Sequence, residues 1–236
     1  MGAATDPVAK LLAEYEALER AYSPGHHGMW AARRRAELVD ATLDGLFERA
    51  GAPPGTAVAA VGGYGRRLLL PRSDIDLLVL HDGSDIDAVA ALADDLLYPL
   101  WNAGFQVGHA VRTPRECEEA CERLDVGASM LDIRRIAGAE DVVIDAAARV
   151  EAWARRDPRA FAYAIGVDAA RRAERFGSAA HLLEPDLKEG SGGWRDLHSI
   201  WLIESVVGTD APLLRARERE KVAGAEEVFV RGRSAL

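Results

Sequence analysis

Cysteine is nearly absent from this chain: two residues in 236, Cys117 and Cys121, leave no material for a disulfide framework. They stand four apart in a helix-like stretch without neighbouring histidines, so they read as reduced side chains rather than as a zinc site. Long apolar runs are missing too. None approaches the roughly 20 residues that cross a bilayer, and no charged-then-apolar segment opens the chain, so a cytoplasmic location without a membrane partner is expected. Positive charge is in deficit, with 29 Lys and Arg against 38 Asp and Glu for a net charge of -9. That balance, and the lack of a basic face rich in aromatics, weighs against nucleic acid as a partner. What is present is ordinary for a globular protein, 49% hydrophobic and 28% charged residues, with length enough for one large or two small domains.

Apolar residues recur with a helical period at Val8, Leu11, Leu12, Tyr15 and Leu18, predicting a helix over 7–22. Ser23-Pro24-Gly25 breaks it, and His26 and His27 in that break read as a solvated loop. A second helix is expected over 29–50, carrying Trp30, Leu38, Leu43 and Leu46, with Arg33-Arg34-Arg35 on a solvated face. From there strand and helix patterns alternate as far as about residue 125, and only helical patterns follow. The reading is therefore α+β: N-terminal helices over 1–55, a catalytic core over 56–125 built on a small mixed sheet, and a helical domain over 126–236.

The core carries the stretch with most chemistry in it. An apolar run, Ala57 to Val61, ends in Gly62-Gly63-Tyr64-Gly65-Arg66, and a second run begins ten residues later with Ser73-Asp74-Ile75-Asp76-Leu77. Side chains alternate along a strand, so Asp74 and Asp76 share a face while Ile75 and Leu77 enter the core. Two carboxylates so placed suit Mg²⁺, which favours one or two carboxylates plus substrate phosphates. Glycines before them let backbone amides approach a polyphosphate, because no Cβ intervenes. A short helix over 66–70, closed by Pro71, would aim its first turn at the phosphates, with Arg66 and Ser73 as further contacts.

The third strand, expected over 105–111, offers Gln106, Gly108 and His109 and no carboxylate; His109 is a candidate base because histidine is the usual side chain for that role. Asp132, beside Arg134-Arg135, is a second candidate for the acidic role, with a salt-bridged surface group as the plainer reading. Further on, the loop 183–196 interleaves glycines with Lys188, Arg195 and acidic residues ahead of a helix over 194–206. Loops of this kind on rigid elements often carry binding groups, so Lys188 and Arg195 are candidates for neutralising triphosphate charge.

The spacing of Gly62-Gly63 and Asp74-x-Asp76 resembles the signature of the nucleotidyltransferase superfamily, whose DNA polymerase beta-like fold is a small mixed sheet with flanking helices. The longer strings GGYGRRLLLPRSDIDLLVL, VGHAVRTPREC, SMLDIRRIAG and LEPDLKEGSGGWRDLHSIWLI are similar to the bacterial PII uridylyltransferase/uridylyl-removing family. That resemblance implies transfer of UMP, or in some members AMP, from UTP or ATP to a tyrosine hydroxyl of a PII-like signalling protein in nitrogen regulation. By the same likeness Asp74 and Asp76 are catalytic and bind magnesium, and Gly62 and Gly63 cradle the triphosphate. The family's HD hydrolase and ACT parts are not expected in this sequence, so neither uridylyl removal nor glutamine sensing is. The chain departs from the family at Leu68, Asn102 and Gly108, where acidic residues are common. Leu68, Asn102 and the carboxylate-poor third strand motivate one alternative, a nucleotide-binding regulatory module of weak activity; a second alternative keeps the chemistry and changes the acceptor to tRNA or a small molecule.

Overall fold

The computed structural model describes residues 6–21, 28–178, 184, 186–208 and 212–234. His26 and His27, and the Leu183 and Pro185 that open the glycine-rich loop, lie outside the described residues. The chain divides into two compact units, residues 1–150 and 151–236.

In the first unit two helices precede the sheet, α1 (Pro7–Ala21) and α2 (Gly28–Ala50). Four strands follow: β1 (Thr56–Ala60), β2 (Ile75–His81), β3 (Val107–Arg112) and β4 (Arg134–Gly138), in the spatial order β3-β2-β1-β4. β1 is antiparallel to both β2 and β4, whereas β2 and β3 run parallel. A parallel pair needs a long crossover, supplied here by α4 (Ile86–Asn102). The sheet is thus mixed and small, with helices around it, as the α+β reading expects.

Alternation sorts the sheet into two faces. Ile75, Leu77 and Val79 of β2 join Val58 and Ala60 of β1 in a core with Leu43 and Leu46 of α2 and Leu92, Leu96 and Leu100 of α4. Leu78, Leu80, Ala57 and Ala59 on the other face are also buried, so both faces are covered. α4 begins where the Asp85 side chain accepts from Ala88 N at 3.0 Å and holds Pro99 in its last turn. A proline inside a helix costs about 3 kcal/mol. Burial of Leu96, Leu97 and Leu100 outweighs it at about 2 kcal/mol each, so packing rather than propensity maintains α4.

Two local expectations are corrected. The turn after β1 is α3 (Gly62–Gly65), a single turn, and 66–70 is not helical. Arg67 takes the left-handed conformation (φ 61°) and Leu68 N reaches back to Gly63 O at 2.9 Å, an arrangement that ends helices. The second correction is β4, in a stretch whose pattern suggested helix. Arg134–Gly138 becomes a strand because β1 has an open side: Ala60 pairs with Arg134 and Ala57 with Gly138. Sheet pairing and the helix α7 (Glu140–Arg155) carry the first unit past residue 125, where the local pattern had suggested its end. Between β3 and β4 lie α5 (Pro114–Ala120), opened by a Thr113/Glu116 capping box, and α6 (Leu124–Met130).

The second unit is helical: α8 (Pro158–Phe176), α9 (Trp194–Val207) and α10 (Ala216–Ser234). The described part of its glycine-rich loop is tightly bonded. Asp186 Oδ1 accepts from Lys188 N and Glu189 N, both at 2.8 Å, and Trp194 N donates to Leu187 O at 2.9 Å. A Cβ on Gly193 would stand 2.6 Å from Gly190 O, so this glycine is demanded by the close approach of backbone.

Candidate active site

The topology gathers one end of three strands. Because β1 and β2 are antiparallel, with Ala60 opposite Leu77, the glycine turn leaving β1 lies beside the start of β2. Val61 N donates to Asp76 O at 3.1 Å and holds the two together. Because β2 and β3 are parallel, the start of β3 lies at that end too, with Gly108 opposite Asp76.

Gly62 sits at φ 57°, a conformation that side chains disfavour, and a Cβ there would stand 3.7 Å from Asp76 Oδ2. On the other side of the carboxylate, a Cβ on Gly108 would stand 2.8 Å from Asp76 Oδ1. Asp76 is therefore flanked by two glycines and half-buried between them, on the face opposite Ile75 and Leu77. Asp74, two residues earlier and exposed, immediately precedes the first residue of β2. Ser73 is half-buried, and its backbone N–H donates to Leu70 O at 3.1 Å. At Gly63 a Cβ would meet Leu68 O at 3.5 Å and Arg66 Nη2 at 3.9 Å, both ordinary contacts, so nothing among the described residues requires glycine there.

His109 falls on the wrong face for a base. It pairs in register with Leu77, whose side chain enters the core, and its ring stacks edge-on against Trp101 of α4 at 5.5 Å. One residue of strand separates His109 from Gly108, and one residue reverses the face. The β3 positions on the Asp76 face are Gly108, Ala110 and Arg112. Among the described residues no three Asp, Glu, His or Cys side chains form a group suited to a metal.

The segment leaving α6 braces the glycine turn. Arg66 donates to Asp132 Oδ2, and the Asp132 carbonyl packs so closely on Gly65 that a Cβ would collide with it. Arg66, expected on phosphate, and Asp132, a candidate acid, are thus partners of one another, both largely shielded from solvent. Arg134 Nε donates to Gly65 O at 3.0 Å and its Nη2 to Tyr64 O at 3.2 Å, while the guanidinium lies over the Tyr64 ring. Its fork also holds Asp40 of α2, which accepts from the Tyr64 hydroxyl at 2.7 Å. Burial first, and the Asp40 carboxylate second, push the Tyr64 hydroxyl well above its ordinary pKa. Tyr64 therefore acts as a neutral donor fastening the turn.

Asp40 and Arg134 were invisible in sequence as residues that hold the glycine turn. Asp40 lies on a helix rich in polar positions and Arg134 in a pair of arginines, and neither spacing has a local chemical meaning. Lys188 and Arg195 belong to the second unit, where Lys188 is exposed and Arg195 Nε donates to Glu189 Oε1 at 2.8 Å. Cys117 and Cys121 are buried, with burial pushing their thiols up to about 12 and about 11.

Comparison with known proteins follows the same division. The family described as nucleotidyltransferase domain matches residues 43–109, which hold the glycine turn and both aspartates. The family described as GlnD PII-uridylyltransferase matches residues 162–230. The bifunctional uridylyltransferase/uridylyl-removing enzyme of Streptomyces coelicolor is 45% identical over 197 residues, 79% of this chain and 23% of that protein. The enzyme of the same name from Nitrosospira multiformis is 36% identical over 207 residues, 84% of this chain and 23% of the relative. That of Bordetella avium is 37% identical over 212 residues, 84% and 24%. The chain spans about a quarter of the length of the curated relatives it matches. Among the described residues no helix is long and apolar enough to cross a membrane.

Proposed function

Because this chain belongs to the nucleotidyltransferase superfamily, in the branch of the bifunctional uridylyltransferase/uridylyl-removing enzymes, we propose that it transfers UMP or AMP to a PII-type protein in the cytoplasm. The donor is the nucleoside triphosphate and the acceptor a tyrosine hydroxyl. The acceptor oxygen forms a bond to the α-phosphorus as the bond to the leaving pyrophosphate breaks, and the hydroxyl proton passes to solvent.

One observation carries the reading: the Asp76 carboxylate lies against the glycine turn, with Gly62 on one side and Gly108 on the other. Charge repulsion between a triphosphate and a carboxylate would forbid that neighbourhood without a cation. The two oxygen-donor side chains Asp74 and Asp76 suit Mg²⁺, the cation that prefers one or two carboxylates and completes its shell with phosphate and water. When bound, Mg²⁺ supplies charge stabilisation to the phosphate oxygens. Gly62 and Gly63 provide the close backbone approach to the phosphates.

The deciding experiment is incubation with labelled UTP or ATP, Mg²⁺ and the organism's own PII-like protein. Label should enter a tyrosine of the acceptor with one pyrophosphate released per transfer. Replacing Asp74 or Asp76 with asparagine should abolish incorporation; undiminished turnover in a purified, folded variant of both rejects the mechanism. Binding of nucleotide without any pyrophosphate release would favour the regulatory module.

A further inference from the structure

The stretch from α6 into β4 meets the glycine turn at three points. Arg134 binds the carbonyls of Tyr64 and Gly65, Asp132 binds Arg66, and Ser129 meets Gly62. The first two contacts are satisfied pairs. The third is not: Ser129 Oγ would stand 3.0 Å from a Cβ on Gly62, and among the described residues no hydrogen bond reaches that hydroxyl.

Helical hydroxyls usually bond back to a carbonyl of their own helix. Thr42 does so to Leu38 O at 2.9 Å, Ser199 to Arg195 O at 2.8 Å and Ser205 to Leu202 O at 2.8 Å. Ser129 instead is half-exposed and directed over the α-carbon of Gly62, where Asp76 Oδ2 is the other oxygen at hand. A donor hydroxyl and a carboxylate thus overlook the same glycine from two different elements. A metal-bound phosphate oxygen over Gly62 would accept from the first while its cation is held by the second.

We infer that Ser129 is a further substrate-binding residue, donating its hydroxyl to a phosphate oxygen of the nucleoside triphosphate. The inference rests on the nucleotidyltransferase reading and extends its site to α6, outside the residues matched by the nucleotidyltransferase domain. A hydrogen bond to a charged oxygen is worth about a factor of ten in affinity.

The test is calorimetric titration of the whole chain with Mg·UTP and Mg·ATP, paired with steady-state transfer to the PII-like acceptor. Ser129→Ala should raise the triphosphate Kd and KM about tenfold. The acceptor KM and the melting temperature should stay as in the parent, and Ser129→Thr, which keeps the hydroxyl, should recover most of the affinity. If the parent transfers nucleotide and Ser129→Ala binds triphosphate equally well, the role of Ser129 is overturned and the transferase reading stands. If the parent binds no triphosphate and transfers none, both fall.

Discussion

Arg134 donates from both arms of its guanidinium to the two carboxylate oxygens of Asp40, at 2.8 and 3.0 Å, joining the start of β4 to the middle of α2. The same side chain holds two carbonyls of the glycine turn. Its planar fork does four jobs at once, which an ammonium cannot do. Arg134→Lys is therefore expected to lower both stability and nucleotide affinity. The loss of stability should be about 2 kcal/mol, as for charge-assisted bonds in a largely shielded place. Denaturant midpoints and triphosphate titration check this together. A variant with an unchanged midpoint would show that the brace is dispensable.

The two turn glycines should separate by experiment. Gly62 needs φ 57° and is crowded by Ser129, so Gly62→Ala should lose about 1 kcal/mol of stability. Gly63 has a negative φ and room for a methyl group. Gly63→Ala should therefore melt as the parent does, yet bind triphosphate more weakly if phosphate approaches the backbone there. Equal affinity in Gly63→Ala would remove Gly63 from the nucleotide site.

His109 faces Trp101 and not Asp76. His109→Ala should leave kcat within about twofold of the parent, and the pH profile of kcat should keep its shape, since a general base must reach the proton it takes. A large drop in kcat, or loss of a limb near neutral pH, would mean that β3 adopts another register in the substrate complex.

The two thiols give a pH dependence of stability. Burial raises Cys117 to about 12 and Cys121 to about 11 from an ordinary value of 9.0, so the folded chain keeps both protons where the unfolded chain has released them. The unfolded state then binds fewer protons, and stability falls with rising pH. The contribution is complete below about pH 8.5 and declines from about pH 9 through the folded values of about 11 for Cys121 and about 12 for Cys117. Melting temperatures over pH 7 to 10.5 should fall less steeply above pH 9 in the Cys117→Ala/Cys121→Ala variant than in the parent. At neutral pH the native thiols should also resist a thiol reagent until denaturant is added.

The features legible in sequence were those whose meaning is local. Period-two spacing put Asp76 on the face opposite Ile75 and Leu77, and the apolar run before Gly62 announced a strand and a turn. The helices α1, α2 and α9 lie within one residue of their expected bounds. Sequence similarity, carried by the same strings, identified the superfamily.

Pairing across the sheet was decided only by the tertiary structure, because hydrogen bonding between strands depends on residues far apart in the chain. Arg134–Gly138 has no alternation to mark it and becomes a strand because β1 offers an unfilled side. The face of His109 was undetermined until the register Leu77 to His109 was known, since a slip of one residue exchanges the faces. Asp40, Ser129 and Arg134 reach the glycine turn from 22 or more positions away, and no spacing rule links them to it. Local chemistry put the carboxylates and glycines in the chain, and long-range packing supplied the side chains that hold the turn in place around them.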